Sequence, residues 1–417
     1  MEQNHTLLFI ILALTVSFLL LGCSNTQIPA KVDDSGATPK DIVDVTEANN
    51  KFAFDLYSKY KSDEGNVFFS PYSISTALAM TYEGARGTTA EEMRSVFYFP
   101  EDAEARRAGY ARLYNSINAG SKDYKLSTAN ALWAQKDYPF IEEYFSTIKN
   151  YYGGGVTNLD FVTETEKSRV TINKWVEDQT NDKIKYIIPP GTLDSMTRLV
   201  LTNAIYFKGE WAVQFEKKNT AEDDFKVSPT NNAKVQMMSL TGKNAKFDYA
   251  ETEDLQMIEL PYEGDELSMI ILLPKENDVS VAESYLTAQK MSELYAQKKE
   301  KQVRLYLPRF KFDTKYFMAE DLKEIGMPTA FSDFADFSGM TGNNDLQISD
   351  VIHQAFVEVN EEGTEAAAAT VVTMKLGSSG LSEQIPVFKV DHPFIFMITE
   401  KSTGSILFIG RVSNPNG

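Results

Sequence analysis

Helix signals crowd the first half of this chain and strand signals the second, and that order limits the folds open to it. A helix is expected from Asp44, because Glu47 stands three residues after a capping Asp and Phe52, Leu56 and Tyr60 recur every four. Ser70-Pro71 opens another, with Ser as N-cap and Pro in the first turn, and Gly84 is its expected stop. Thr89 and Glu92 read as a further capping box, leading toward Phe97. Strand patterns then follow at 201–207, 267–273, 303–312, 356–360, 394–398 and 405–411. Within 303–312, Val303, Leu305 and Leu307 alternate, Pro308 breaks the parity, and Phe310 and Phe312 resume it. Such a break marks a bulge or a bend. Helices mainly first and strands mainly later give an α+β chain. No internal repeat is present.

Composition removes several function classes. The 417 residues carry 59 acids against 41 basic side chains, a net charge of −18. Non-specific nucleic-acid binding needs a basic stripe, so no nucleic-acid partner is expected. A hydrophobic fraction of 43% suffices for a sizeable core, and length alone suggests about two to three domains. The single cysteine excludes intrachain disulfides, zinc ribbons and iron–sulfur ligation. No Gly-x-Ser-x-Gly elbow occurs: Gly377-Ser378-Ser379-Gly380 has the wrong spacing. Gly84-Ala85-Arg86-Gly87-Thr88 lacks the lysine of a phosphate loop, and Gly153-Gly154-Gly155 reads as a flexible loop. His353 and His392 lack a serine with nucleophile context. The chain therefore reads as a non-enzyme, with no metal and no small-molecule cofactor.

Residues 7–22 are apolar apart from Thr15 and Ser17, which is short for a membrane span. The run ends in Leu20-Leu21-Gly22-Cys23 and then turns polar. This resembles the lipobox of prokaryotic lipoproteins. The resemblance implies a signal peptide over 1–22, cleavage before Cys23 and a lipid on its thiol. It would also explain why the only cysteine sits here. Glu2, with no Lys or Arg before the apolar run, departs from the usual positive start. An uncleaved anchor and an ordinary secretion signal are the alternatives, and all three versions face the chain outward. Residues 23–45 read as a flexible tether, and 46–417 as the folded part.

One block is chemically unusual: Glu361-Glu362-Gly363-Thr364-Glu365-Ala366-Ala367-Ala368-Ala369-Thr370-Val371-Val372. Alanine runs favour helix, but this one leads into β-branched residues and then Gly and Ser. Taken as a strand, it puts Thr364, Ala366, Ala368, Thr370, Val372 and Met374 on one face and the charged Glu365 and Lys375 on the other. It can enter a sheet without burying a charge, or stand exposed. That makes it a candidate switch element.

A second block runs Asn66-Val67-Phe68-Phe69-Ser70-Pro71-Tyr72-Ser73-Ile74. With Thr128-Ala129-Asn130, Asn173-Lys174-Trp175-Val176, Leu201-Thr202-Asn203-Ala204-Ile205-Tyr206-Phe207-Lys208-Gly209, Trp211, Leu307-Pro308-Arg309-Phe310 and Asp391-His392-Pro393-Phe394, it makes the chain resemble the serpin family over about residues 46 to 414. The resemblance implies one domain of three β-sheets and about nine helices, overriding the length argument, with an exposed reactive-centre loop from 361 to about 386. It implies suicide inhibition of serine proteases by a metastable fold. The bait is cleaved, the acyl-enzyme is trapped, and the loop enters the large sheet as a new strand. About fourteen inserted residues would span roughly 45 Å.

Residue by residue, Glu361, Gly363, Thr364, Ala366, Ala367, Ala368 and Ala369 match the hinge of inhibitory members. Ser70, Asn203 and His353 match the polar cluster that gates the sheet, or else simply satisfy one another in the core. Trp211, Arg309 and Glu361 match the place where insertion starts. An Arg309–Glu361 ion pair there, if exposed, would contribute about 1 kcal/mol or less. Counting forward from Glu361 puts the reactive bond at Gly377–Ser378, with Leu376 and Lys375 as alternatives. Counting back from His392-Pro393 lands near Ser382, so the loop is longer than usual. Leu376 suits chymotrypsin- or subtilisin-like enzymes and Lys375 trypsin-like ones, and a cysteine protease is also compatible. A monomer is expected, touching membrane only through its lipid, extracytoplasmic and held at the cell surface or envelope. A non-inhibitory binding or chaperone-like serpin is the competing reading.

Overall fold

The computed structural model describes residues 31–118, 124–364 and 384–417. The chain begins with α1 (Pro39–Tyr60), β1 (Val67–Phe69), α2 (Pro71–Tyr82), α3 (Gly87–Phe97) and α4 (Ala103–Asn118). β2 (Tyr124–Gln135), α5 (Glu142–Tyr152), β3 (Gly155–Leu159) and α6 (Thr165–Gln179) lead to the long β4 (Leu199–Glu210). Strands then dominate: β5 (Ala221–Ser228), β6 (Asn231–Leu240), β7 (Lys246–Glu251), β8 (Leu255–Pro261) and β9 (Leu267–Pro274). After α7 (Val279–Glu283) and α8 (Ala288–Tyr295) come β10 (Lys299–Gln302), β11 (Arg304–Pro308), β12 (Phe310–Phe317), α9 (Ala319–Glu324) and α10 (Ser338–Thr341). The chain closes with β13 (Ile352–Val359), β14 (Gly363–Thr364), β15 (Val387–Lys389), β16 (Phe394–Glu400) and β17 (Ile406–Val412).

Three sheets result, as the serpin resemblance implies. The six-stranded sheet has the order β12-β13-β14-β4-β2-β3, the seven-stranded one β1-β17-β16-β9-β8-β7-β10, and the four-stranded one β15-β11-β6-β5. The expectation of about nine helices compares with ten α-helices among the described residues, α10 being a single turn. Aromatic residues join the two larger sheets: Phe68 stacks on Phe396 at 5.5 Å and on Phe408 at 5.3 Å, and meets Phe312 of β12 edge-on. The outer face of the six-stranded sheet has its own apolar layer, in which Trp133 and Ala204 pack with Ile172 and Val176 of α6.

Several local expectations shift. α2 starts as read, with Ser70 Oγ accepting the Ser73 N–H at 3.1 Å, but ends at Tyr82 with Glu83, not Gly84, as C-cap. α1 starts at Pro39 rather than Asp44. The Thr38 hydroxyl accepts the Asp41 N–H at 3.3 Å, and the Asp41 carboxylate accepts the Thr38 N–H at 2.8 Å. The apolar stripe marks where α1 packs, not where its hydrogen bonding begins. Thr89 and Glu92 do not cap α3, whose cap residue Arg86 makes no side-chain cap bond. Instead Thr89 Oγ1 accepts the Asp336 N–H at 2.9 Å, and Glu92 accepts the Thr329 N–H at 2.8 Å. The parity break at Pro308 is a change of sheet. β11 pairs with β6 and β15, β12 pairs with β13, and Arg309 is the single residue between them.

Candidate functional site

The six-stranded sheet is closed at one end of its central seam and open at the other. β4 and β13 run parallel and pair directly from Ile352↔Thr202 to Phe356↔Tyr206. Beyond that they part, and β14 enters antiparallel to both: Thr364 lies opposite Val359 and Gly209, and Gly363 opposite Glu210. Residues 360–362 make the turn between β13 and β14. The Asn360 carboxamide oxygen accepts the Glu362 N–H at 3.0 Å, and the Asn360 N–H reaches the Gly363 carbonyl at 2.9 Å. Asn side chains favour such turns because they supply an acceptor within two or three residues.

The close approach explains Gly363. A Cβ there would sit 2.0 Å from the Gly209 carbonyl oxygen and 2.6 Å from the Glu210 Cα. Thr364 is buried, and its hydroxyl pairs with the Tyr262 hydroxyl at 2.8 Å. Tyr262 stacks on Trp211 with centroids 4.7 Å apart. The Trp211 indole N–H donates to the Asn360 carbonyl at 3.0 Å, and its backbone N–H to the Glu362 carbonyl at 2.8 Å.

Both acids of the turn are clamped. Glu361 accepts from Arg309 Nε at 2.9 Å, from Arg309 Nη2 and from the Thr220 hydroxyl. Burial raises its pKa, but Arg309 and Thr220 outweigh this and hold it below the usual carboxylate value. The expected Arg309–Glu361 pair therefore exists, but it is not a surface pair: the Glu361 side chain is 2% exposed while Arg309 is 42% exposed. Lys217 holds Glu362 at 2.6 Å. An open groove of about 580 Å³ lies alongside, with Lys217, Arg309 and Lys311 on its walls.

Ser70, Asn203 and His353 come together beneath the closed half of the seam. The Ser70 N–H donates to His353 Nε2 at 3.1 Å, and His353 Nδ1 meets Asn203 Oδ1. Nε2 is therefore the unprotonated nitrogen, and Nδ1 carries the hydrogen to Asn203. Asn203 Nδ2 donates to Ser73 Oγ at 2.7 Å and to Asn130 Oδ1 at 2.8 Å, and Ser70 Oγ donates to the Leu407 carbonyl at 2.6 Å. Burial pushes the His353 pKa down to about 3. The cluster ties the start of α2 to β4, β13, β2 and β17.

Of the residues singled out in the sequence, Ser70, Asn203 and His353 thus form one network, and Trp211, Arg309, Glu361, Gly363 and Thr364 another. Cys23, Ala366, Ala367, Ala368, Ala369, Lys375, Leu376, Gly377 and Ser378 lie outside the described residues. Sequence reasoning missed Ser73, Asn130, Lys217, Thr220, Tyr262 and Asn360. Ser73 and Asn130 sit within motifs already noted, and their burial is the missing signal. Lys217, Thr220 and Tyr262 come close only through tertiary folding.

The family model described as serpin (serine protease inhibitor) matches residues 47–415. An uncharacterized serpin-like protein of Methanosarcina mazei is 42% identical over 97% of each chain, a match that reaches ahead of residue 47. Human serpin B3 is 43% identical over 89% of this chain and 99% of its own. The solved structure of uncleaved ovalbumin superposes with a TM-score of 0.79 at 32% identity, covering 89% of this chain and 100% of that one.

Proposed function

The chain belongs to the serpin family, and from that premise we propose that it is a suicide-type inhibitor of serine proteases. The observation that carries this reading is β14: the first residues of the hinge are already seated between β13 and β4, where an inserted strand must begin. Continuing that register would set Ala366 against Val357 and Phe207, Ala368 against Ala355 and Ile205, and Thr370 against His353 and Asn203. Each of these incoming side chains is small, so the seam can take them without burying a charge. Insertion would exchange the direct β4–β13 pairing for two new ladders.

In the proposed reaction the protease serine attacks the carbonyl of Gly377. The Ser378 amine leaves with a proton, and the loop is held as an ester. Insertion then carries the protease along the sheet before water can hydrolyse the ester. Leu376 and Lys375 remain the alternative specificity residues, and they point to chymotrypsin- or subtilisin-like and to trypsin-like targets respectively. A lipid on Cys23 would hold a monomeric inhibitor outside the cytoplasm, at the cell surface or envelope.

The test is thermal unfolding of the chain before and after limited proteolysis, with the cut located by mass spectrometry. A large rise in melting temperature after a cut near Gly377, with SDS-stable protease complexes, is expected. No complex with chymotrypsin-, trypsin-, subtilisin- or elastase-like enzymes, and no rise after cleavage, would favour the non-inhibitory binding role.

A further inference from the structure

Residues 31–38, just ahead of α1, are not a free tether. Val32 is buried, and Asn115 of α4 grips its backbone from both sides: Oδ1 accepts the Val32 N–H at 3.0 Å, and Nδ2 donates to the Val32 carbonyl at 2.9 Å. The Asp33 N–H donates to the Asn150 carbonyl of α5 at 2.8 Å. Asp34 pairs with Arg112 of α4 at 3.1 Å and with Lys31 at 3.4 Å. The Ala37 N–H then closes a turn onto the Asp34 carbonyl at 3.0 Å, just before the Thr38 cap. Residues 32–34 are a strap laid across the ends of α4 and α5.

We propose that this strap fixes the orientation of the anchored protein, holding the α4–α5 flank against the membrane. The inference rests on reading Cys23 as the lipid-bearing residue. From Cys23 to Lys31 there are eight Cα steps, which reach at most ~26–29 Å when fully extended. A tether running on to residue 45 would reach ~75 Å. A compact chain of this size has a radius of gyration of ~21 Å and a diameter of ~55 Å, so a quarter turn takes ~43 Å of chain along its surface. The long tether would let the body roll freely, whereas the strapped one is too short for a quarter turn.

The strapped flank is also close to the base of the reactive loop. The Tyr124 hydroxyl donates to the Ile117 carbonyl of α4 at 2.7 Å, Tyr124 pairs with Gly209, and Gly209 pairs with Thr364. The base of the loop is thus two strand spacings, ~10 Å, from the strand that touches α4. An inhibitor held this way keeps the base of its reactive loop close to the lipid surface.

The experiment uses the full lipidated chain in phosphatidylcholine–phosphatidylglycerol vesicles with a trace of acceptor-labelled lipid. Lipidation consumes the one cysteine, so a single introduced thiol carries the donor dye. Ser116→Cys places it on α4. Ser292→Cys places it on α8, which packs on β7 near the end of the seven-stranded sheet remote from β1. Energy transfer is expected to be severalfold stronger from position 116. A long Gly/Ser insertion between Ala30 and Lys31 should bring the two positions to the same value, leaving the fold untouched. Equal transfer without the insertion, in chains that float with the vesicles, overturns the orientation alone. Chains that fail to float overturn the Cys23 reading, and the orientation with it.

Discussion

The partners of His353 require a neutral imidazole. Its Nε2 needs a free lone pair for the Ser70 N–H, and the ring is fully buried with Tyr316 stacked over it at 6.4 Å. The folded pKa of about 3 lies below the ordinary 6.5, so the unfolded chain binds a proton that the folded chain refuses. Stability from this group is fully present above pH 6.5, declines below it, and is lost as pH falls to about 3. The slope approaches about 1.4 kcal/mol per pH unit. Between pH 6.5 and about 5, above most of the carboxylate titration, the native chain should lose stability faster than His353→Gln. The variant should itself be weaker by about 2 kcal/mol, from the strained or lost bonds to Ser70 and Asn203. Urea titrations at several pH values would read both effects. Equal slopes in the two proteins would show that another group governs this range.

At the scale of elements, α2 shows what a sequence makes plain and what it hides. Its start is legible because Ser70 and Pro71 act locally. Its end is not, because Glu83 is explained only by other helices. An acid at a helix C-terminus opposes the dipole, and this one is buried, its side chain 2% exposed. Arg106 at 3.0 Å and Arg107 at 2.7 Å, both from α4, and the Tyr152 hydroxyl of α5 at 2.6 Å compensate it. Burial raises the Glu83 pKa, and these partners more than reverse the effect. Glu83→Gln would leave Arg106, itself 5% exposed, without its counter-charge. The expected loss is about 3 kcal/mol, measured by chemical denaturation; a loss within experimental error would mean that Arg106 is stabilised some other way. Thr89 and Glu92 teach the converse. Their spacing is that of a capping box, yet both serve the segment 329–336. Local chemistry names the donors and acceptors, and tertiary structure chooses among them. The seam was legible only as composition, in the small even-numbered side chains after Gly363. Its geometry depends on pairing between residues about 150 positions apart.

The whole molecule sets two demands on the same sheet. Under the proposed mechanism it must stay shut over β4 and β13 in the intact chain, and it must accept a strand once the loop is cut. The closed half meets the first demand through direct pairing and through the Ser70–His353–Asn203 network, which anchors both strands to α2. The open half meets the second by seating β14 without wedging the strands further apart. Only glycine satisfies the geometry at the point of entry, since a Cβ at 363 would collide with the backbone of Gly209 and Glu210. Gly363→Val therefore separates the two demands. The intact variant should lose only the bonds of β14, about 1–2 kcal/mol, because the closed half is untouched. Its cleaved form should show little or none of the melting-temperature rise expected of the native chain. Offered a protease, it should yield mostly cut chain and little SDS-stable complex. The backbone collision is with strand atoms that cannot move aside without parting β4 from β2, so relaxation of a side chain offers no escape. A cleaved Gly363→Val chain that gained as much thermal stability as the native one would show that insertion does not begin where β14 is seated.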